Sequence, residues 1–257
     1  EIGVRLVGSE MCIRDRGKAE ESDRLKSAFL AQMSHEIRTP LNVILTSIPL
    51  LADEISEKDE ELKIILDSVK SAGRRLQRTI DMILSMSSVQ SGNYKATFEQ
   101  FDLVGDLKKM TNEFKSLSED KGLKLKFTHS KEQVNITADR YTVNQVFQNL
   151  INNAIKYTLK GYVEVYIKDL VDDKVKVEIR DSGIGMSQEY LQKMFVPFSQ
   201  EDVGHKREFE GNGLGLALVK KYIELNRADI NVESEKNIGS VFTVTFHNNI
   251  NLSLIHI

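Results

Sequence analysis

The sequence predicts an α+β chain, in which a helical hairpin is followed by a helix-backed α/β sandwich. Apolar residues between positions 18 and 90 recur at the helical steps of three and four. Beyond Tyr94 the period changes, and short alternating strand patterns are interspersed with helical ones. A chain of 257 residues with 40% hydrophobic and 28% charged residues fits one or two ordinary domains.

The two ends of the chain look foreign to this fold. Met11–Arg16 and Leu252–Ile257 can be encoded by DNA strings that are reverse complements of each other, and Glu1–Arg16 resembles a translated sequencing adapter. We therefore expect residues 1–16 and 252–257 to be artefacts, and residues 17–251 to be a piece of a longer reading frame. A natural disordered N-terminus is the alternative.

Composition excludes several classes of function. The single cysteine, Cys12, lies in the excluded N-terminal end, so disulfides, thiolate catalysis and cysteine-based metal sites are not expected. A net charge of −3 argues against nucleic acid as a partner. The sequence contains no run of eighteen apolar residues, so no membrane contact is expected for this segment.

His35 is the candidate reactive residue of the first predicted helix, which extends from Lys18 to about Ala52 with a bend or early end near Pro49. It lies beside a stripe of apolar residues and should point to solvent. The stripe consists of Phe29, Met33, Ile37, Leu41, Ile44 and Ile48. A lone histidine is more often structural than reactive, but Glu36 could take its proton and Pro40 should bend the helix. These neighbours favour a nucleophile that another domain must reach.

A second helix is predicted from Glu60 to about Gln90, and Gly92-Asn93 should end it. Its apolar positions repeat with heptad-like spacing: Leu62, Ile65, Val69, Ala72, Leu76, Ile80 and Ile83. One hairpin buries too little apolar surface alone, whereas two copies would bury both stripes in a four-helix bundle. A plain dimerisation coiled coil is the alternative.

The rest of the chain predicts a second domain, so we expect domain boundaries at 17–93 and 94–251. The predicted elements are a strand around Phe98–Leu103, a helix Leu107–Leu117, strands Leu123–Phe127 and Val134–Thr137, a helix Arg140–Tyr157, a hairpin of Tyr162–Leu170 with Lys174–Arg180 that turns at Asp172-Asp173, a helix Gly215–Leu225, and strands Ile230–Glu233 and Val241–Phe246. Mixed strands and helices of this length indicate an α/β sandwich.

Four motifs in the second domain suggest a nucleotide site. In the first, Asn149, Asn153 and Lys156 share one face of the predicted helix. A carboxamide oxygen is a neutral ligand that suits Mg²⁺, although an asparagine on a helix is usually only solvated or capping. In the second, Asp181-Ser-Gly183-Ile-Gly185 follows a strand. Its carboxylate can accept a hydrogen bond from an exocyclic amine, but the pattern alone also marks ordinary turns.

The third and fourth motifs are a pair of aromatics and a glycine-rich loop. Phe195-Val-Pro197-Phe198 places two aromatic rings either in a mobile loop or as a latch on the core. Gly211-Asn-Gly213-Leu-Gly215-Leu216 runs into a helix, where backbone N–H groups can cradle an anion. It lacks the spacing of the dinucleotide fingerprint, and the sequence has no phosphate loop of the Gly-x-x-x-x-Gly-Lys type.

Together these motifs resemble the sensor histidine kinases of two-component systems. Ser34-His-Glu-Ile-Arg-Thr-Pro-Leu41 is similar to their phosphoacceptor box. The four later motifs, followed by Gly239-Ser-Val-Phe242, resemble the N, G1, F, G2 and G3 boxes of their ATP-binding domain. The resemblance covers about Lys18 to Asn248. It implies a homodimer that phosphorylates His35 from ATP and Mg²⁺ and passes the group to an aspartate of a response-regulator receiver domain.

The resemblance also implies roles for individual residues. Glu36 is the acid/base partner of His35, and Glu36 with Thr39 could position water to remove phosphate from the regulator. In the ATP site the implied roles are Mg²⁺ ligation by Asn153, support of the phosphate end by Asn149, contact with phosphate by Lys156, flanking of the nucleotide by Tyr157, and recognition of the adenine amine by Asp181. Nucleotide contacts are further implied for Gly183, Gly185, Gly211, Gly213, Leu214, Gly215 and Leu216. The segment from about Gly183 to Gly215 becomes a flexible lid.

Two other functions stay open from the sequence. One is a dimeric nucleotide-binding interaction module without kinase activity. The other is a gyrase-type ATP hydrolase, but those enzymes carry a glutamate where this chain has Asn149, and a carboxamide cannot deprotonate water. We expect this segment to be cytoplasmic; membrane anchoring of a longer parent protein is suggested by family analogy alone.

Overall fold

The computed structural model describes residues 37–39, 41–48, 60–169, 174–201 and 213–247. The chain divides into two compact units, Glu1–Lys95 and Ala96–Ile257. In the described ranges, no helix is long and apolar enough to cross a membrane.

In the described residues of the first unit, two helices pack side by side. Residues 37–39 and 41–48 are helical and are called α1 here, and α2 is Glu60–Gln90. A methyl group added to Gly73 would lie 2.6 Å from Leu45 Cδ2, so this glycine allows the two helices to approach closely. Arg38 of α1 is paired with Asp81 of α2. The bounds of α2, Glu60–Gln90, agree with those predicted for the second helix.

The apolar stripes of this unit are only partly covered within one chain. On α1, Leu41 and Ile48 are buried, whereas Ile37 is 38% and Ile44 is 51% exposed. Phe29, Met33, Pro40 and Pro49 lie outside the described residues. On α2, Ile80 is buried, and the exposed members of the predicted stripe are Leu62, Ile65, Val69, Ala72 and Leu76. A single hairpin thus leaves a long apolar surface open.

A five-stranded sheet organises the second unit. Its strands are β2 (Lys124–His129), β4 (Tyr162–Asp169), β5 (Lys174–Asp181), β6 (Asp229–Glu235) and β7 (Gly239–His247). They lie in the order β2-β4-β5-β7-β6, with β2 and β4 parallel and every other pair antiparallel. The strands β1 (Phe98–Asp102) and β3 (Asn135–Asp139) form a separate antiparallel pair.

Helices cover one face of the larger sheet. The helices of this unit are α3 (Leu103–Glu113), α4 (Lys115–Asp120), α5 (Arg140–Tyr157), α6 (Gln188–Leu191) and α7 (Gly215–Leu225). Alternate residues of β5, Val175, Val177 and Ile179, are fully buried, as are Phe147 and Ile151 of α5. This alternation is expected for a sheet with one covered face. The prediction of an α+β chain with a helix-backed sandwich is confirmed.

The helix boundaries follow from capping residues. Asp139 caps α5, because its side chain accepts a hydrogen bond from Thr142 N. Asp102 likewise accepts from Val104 N and Gly105 N and starts α3 at Leu103. The predicted helix Leu107–Leu117 is therefore wrong at both ends, and Leu103 is helical rather than part of a strand. The short helix α6 was not predicted, and Asp172-Asp173 lie outside the described residues.

Candidate functional site

The helix α5 presents a half-exposed polar face. Asn149, Asn153, Lys156 and Tyr157 are each partly exposed, while the intervening Leu150, Ile151, Ala154 and Ile155 are buried in the core. The spacing of the two asparagines therefore places their carboxamides one turn apart on the open side of the helix.

Asn149 lies against the beginning of α7. Its Nδ2 donates to the backbone oxygen of Gln145 at 2.8 Å. A methyl group added to Gly215 would be 3.1 Å from Asn149 Oδ1, so α7 begins beside this carboxamide oxygen. The first backbone N–H groups of a helix lack partners within it and attract anions. The structure thus brings together the first and fourth sequence motifs.

Leu214, Gly215 and Leu216 form the start of α7. Leu214 is 3% exposed and precedes the helix, and its oxygen accepts a hydrogen bond from Leu218 N at 3.0 Å. Gly213 has φ +68°, and a methyl group there would lie 2.7 Å from the backbone of Phe198. Only glycine fits this turn without strain. Gly211 lies outside the described residues.

Asp181 is a half-buried carboxyl group at the end of β5. Burial raises the pKa of Asp181 to about 6, against the opposing effect of hydrogen bonds donated by Gly183 N and by the backbone and hydroxyl of Ser240. The bond from Gly183 N is 2.9 Å long. A carboxyl group that is held in place by donors and shielded from water can select for a ligand that offers it one more donor.

The two glycines after Asp181 are fixed by close contacts. A methyl group on Gly183 would lie 2.5 Å from the oxygen of Tyr157, which joins this loop to the end of α5. Gly185 has φ +61°, and a methyl group there would lie 1.9 Å from the oxygen of Glu235. Asn237 N also donates to the oxygen of Ile184 at 2.7 Å. The loop is therefore pinned between α5 and the turn that joins β6 to β7.

Lys156 and Tyr157 contact each other. The Nζ atom of Lys156 donates to the phenol oxygen of Tyr157 at 3.0 Å and lies 4.5 Å from the centre of its ring. Near them, burial raises the pKa of Tyr190 to about 12, with smaller contributions from Tyr157 and Glu201. The phenol of Tyr190 therefore stays protonated at neutral pH.

The aromatic motif does not form a latch on the core through Phe198. Phe198 is 69% exposed and has φ +63°, an uncommon backbone conformation for a non-glycine residue. Its N–H donates to the oxygen of Gly213 at 3.0 Å. Phe195 is half-buried, with Lys220 Nζ 6.0 Å from its ring centre. The residue of this segment that packs into the core is Met194, which is 5% exposed.

The predicted phosphoacceptor residues fall at the edge of what the structure describes. His35 and Glu36 lie outside the described residues, and Thr39 is an exposed residue of α1. In the described part of the chain, no group of three acidic, histidine or cysteine side chains could hold a metal ion.

Two residues beside the site were missed by the sequence analysis. Ser240 hydrogen bonds to Asp181 across the β5–β7 ladder. Thr158 is fully buried beside Gly183, and its hydroxyl donates to the oxygen of Ala154 at 2.7 Å. Ser240 follows Gly239 in the motif Gly239-Ser-Val-Phe242. The missing information was the strand register, which only the pairing of β5 with β7 supplies.

Two family models match the chain. Residues 25–92 match the His Kinase A phospho-acceptor domain. Residues 138–250 match the family of histidine kinase-, DNA gyrase B- and HSP90-like ATPases. A helical phosphoacceptor domain followed by this type of ATPase domain defines a class of signalling kinase. The chain belongs to the sensor histidine kinases of two-component systems.

Individual relatives agree with this assignment. The chain is 34% identical over 236 residues to the autoinducer 2 sensor kinase/phosphatase LuxQ of Vibrio parahaemolyticus, covering 90% of this chain and 27% of that protein. Full-length ShkA, solved with AMPPNP, has the same fold with a TM-score of 0.71 and 24% identity, over 84% of this chain and 45% of ShkA.

A second similar structure includes a partner protein. Histidine kinase ThkA in complex with the response regulator TrrA matches with a TM-score of 0.60 and 24% identity, over 91% of this chain and 66% of that one. The chain spans less than a third of the length of LuxQ. At these levels of identity the solved structures establish the fold of this chain.

Proposed function

We propose that this chain is the kinase core of a sensor protein, which transfers the γ-phosphoryl group of ATP to His35. The observation that carries the proposal is the meeting of Asn149 with the start of α7, at Gly215. This contact puts a carboxamide and an anion-attracting helix end in one place. Asp181 supplies a separate carboxyl group for the adenine amine at the end of β5.

The proposed reaction is an in-line phosphoryl transfer. A ring nitrogen of His35 forms a bond to the γ-phosphorus as the bond from phosphorus to the ADP oxygen breaks, and Glu36 accepts the proton that the imidazole loses. Little covalent chemistry is required of the protein, so positioning and neutralisation of charge supply most of the rate. Asn149 offers no general base for water, which favours transfer to histidine over hydrolysis.

The nucleotide contacts follow the arrangement of the site. Asp181 accepts a hydrogen bond from the adenine amine, and Gly183 and Gly185 let the backbone approach the ring. Tyr157 flanks the nucleotide, Lys156 exchanges its bond to the Tyr157 phenol for a phosphate oxygen, and Asn149 supports the phosphate end. Asn153 contributes a protein ligand to Mg²⁺, which would neutralise phosphate charge. Gly211, Gly213 and the start of α7, Leu214, Gly215 and Leu216, complete the cradle.

The proposed partners are a second copy of the chain and a receiver domain. The exposed stripe of α2 needs an apolar partner, and a second hairpin supplies one. Phosphohistidine then passes its phosphoryl group to an aspartate of the receiver, as expected for a two-component kinase. Glu36 and Thr39 are proposed to place the water that removes phosphate from that aspartate.

Autophosphorylation with γ-labelled ATP and Mg²⁺ tests the proposal. The expected product is protein-bound label that is lost in acid and kept in base, and that disappears in His35→Gln. His129→Gln is the matched control, because the His129 ring contacts the local backbone oxygen of Lys131 at 2.9 Å and the ring of Phe127. A chain that binds ATP without becoming labelled would be an interaction module. Steady phosphate release without label would indicate an ATP hydrolase.

A further inference from the structure

A buried polar cluster joins the end of α7 to the beginning of α5. Asn226, which is 2% exposed, caps the C-terminus of α7. Its Oδ1 accepts a hydrogen bond from Asp139 N at 2.8 Å. Its Nδ2 donates to Thr142 Oγ1 and to the oxygen of Tyr222, each at 2.8 Å. Both N–H groups and the oxygen of this carboxamide are therefore engaged.

The partners of Asn226 at the beginning of α5 are themselves held in place. Asp139 is 3% exposed and Thr142 is fully buried. The carboxylate of Asp139 accepts from Thr142 N at 2.9 Å and from Thr97 N at 2.7 Å. The Thr142 hydroxyl donates to the oxygen of Asp139 at 3.0 Å. Asn226 is thus bonded to a fixed point of the domain and not to a mobile side chain.

The other end of α7 reaches the proposed phosphate site. The helix has 11 residues, which corresponds to a length of roughly 16 Å. Its buried side chains, including Leu218, Val219 and Ile223, pack on the core. Apolar packing holds α7 on the core without a preferred direction, whereas hydrogen bonds have narrow distance and angle limits. The bonds of Asn226 therefore add a directional restraint that ties the C-terminal end of α7 to the beginning of α5.

We infer that Asn226 is a positioning residue for the phosphate end of the nucleotide site. Asn226 holds the C-terminal end of α7 against the beginning of α5. It thereby sets where Gly215 and the first backbone N–H groups of α7 lie relative to Asn149. Asn226 does not touch the nucleotide. This inference rests on the proposed function, because it assigns the phosphates of ATP to the start of α7.

The adenine end is held by different bonds. Asp181 and Ser240 face each other across the β5–β7 ladder, and Gly183 lies against the oxygen of Tyr157 at the end of α5. None of these contacts passes through α7. A shift of α7 should therefore weaken the recognition of phosphate and leave the recognition of adenine unchanged.

The test compares ATP with adenosine on the whole chain, with binding followed by NMR so that weak complexes are measured. In Asn226→Ala we expect the affinity for ATP in Mg²⁺ to fall about tenfold, the effect of one lost charge-assisted hydrogen bond. The affinity for adenosine should change less than about twofold. Thr142→Val removes one partner of Asn226 and should show the same selectivity at smaller amplitude, which keeps the test available if Asn226→Ala does not fold.

The control variant is Thr111→Val in α3. Thr111 is 5% exposed, and its hydroxyl donates to the oxygen of Leu107 at 2.7 Å, so the variant loses a buried hydrogen bond away from α7. It should bind both ligands as the unaltered chain does. Equal loss of ATP and adenosine binding in the Asn226 and Thr142 variants, or no loss, would overturn the inference. Failure of the unaltered chain to bind ATP would instead overturn the proposed function.

Discussion

Asp181 places a carboxyl group with a raised pKa at the proposed adenine site. Its pKa of about 6 lies above the ordinary value of 3.8, because burial disfavours the charged form. The folded protein therefore binds the Asp181 proton more tightly than the unfolded chain does. This gives a contribution to stability that is complete below pH 3.8 and is lost as the pH rises through about 6. At neutral pH the folded domain carries a carboxylate that burial destabilises, and this carboxylate is ready to accept a donor from a ligand.

Adenosine binding should depend on pH through this group. The adenine amine donates a hydrogen bond, so binding favours the ionised carboxyl, and the affinity should fall as the pH is lowered through about 6. The limiting slope is about tenfold per pH unit. Titrations between about pH 5 and pH 8 measure this effect, and adenosine avoids protonation of phosphate. In Asp181→Asn the affinity should be weak and independent of pH; an unchanged pH profile in that variant would contradict the assignment.

Alanine substitutions at Gly185 and Gly122 separate the energetic cost of a positive φ from the cost of a close contact. Both have positive φ, +61° and +67°, but a methyl group on Gly185 would collide with Glu235, whereas one on Gly122 has nothing within 4 Å. Gly122→Ala should cost about 1 kcal/mol of unfolding free energy. Gly185→Ala should cost about 2 kcal/mol more, because the backbone must move. Urea unfolding measures both; equal losses would contradict the close approach.

Functional residues could be predicted where the residue type and its near neighbours in the sequence indicate the chemistry. Asp181, with its two glycines, and the pair Asn149 and Asn153 stand out in the sequence, since the residue type and spacing carry the signal. Ser240 and Asn226 do not, because each acquires its partner only through folding. Asn226 meets Asp139 across 87 positions of sequence. A buried asparagine at the end of a helix looks in the sequence like an ordinary C-terminal cap.

At the scale of elements, α2 carries more apolar surface than α1 can cover. Gly73 and Ile80 are buried, and Gly73 lies against Leu45 of α1. Ile65, Val69 and Leu76, on an adjoining strip of the helix, are 54%, 43% and 48% exposed. An exposed apolar strip of this kind is typical of an interface. A second hairpin is the partner that completes a four-helix bundle.

Leu76→Glu should weaken the proposed homodimer. A charge in the centre of an apolar interface loses its hydration without gaining a partner, so the dimer dissociation constant should rise at least about 100-fold. Ser71→Glu is the control, because Ser71 is exposed and lies on the side of α2 opposite to Val69. Sedimentation equilibrium distinguishes the two variants. A dimer that Leu76→Glu leaves intact would contradict an interface on this strip.

The helices whose ends are marked by clear sequence signals were predicted with the correct bounds. The bounds of α2, α5 and α7 agreed with the sequence, because their apolar periods are long and their ends carry a capping Asp139, Gly92 or a glycine-rich start. The beginning of α3 lies before the predicted Leu107, because Asp102 both ends β1 and caps the helix. The separate pairing of β1 with β3 could not be predicted, because strand partners are not encoded in local periodicity.

At the scale of the whole molecule, the proposed acceptor and the proposed donor site belong to different units. His35 lies in the sequence of the unit Glu1–Lys95, whereas Asn149, Asp181 and Gly215 lie in Ala96–Ile257. Family membership extends over both, since one family model matches each unit. Phosphoryl transfer therefore requires the nucleotide site of the second unit to reach His35, which belongs to the first. The exposed position predicted for His35 allows this.

Peptide mapping tests this central claim most directly. The chain is incubated with ATP and Mg²⁺ and digested with trypsin at alkaline pH, where phosphohistidine survives, and fragment masses locate the phosphoryl group. We predict that it lies on His35, within the tryptic peptide 27–38, and that Asp181→Asn, which cannot hold ATP as proposed, carries far less of it. A phosphoryl group on another residue, or phosphate released with none retained by the protein, would contradict the account.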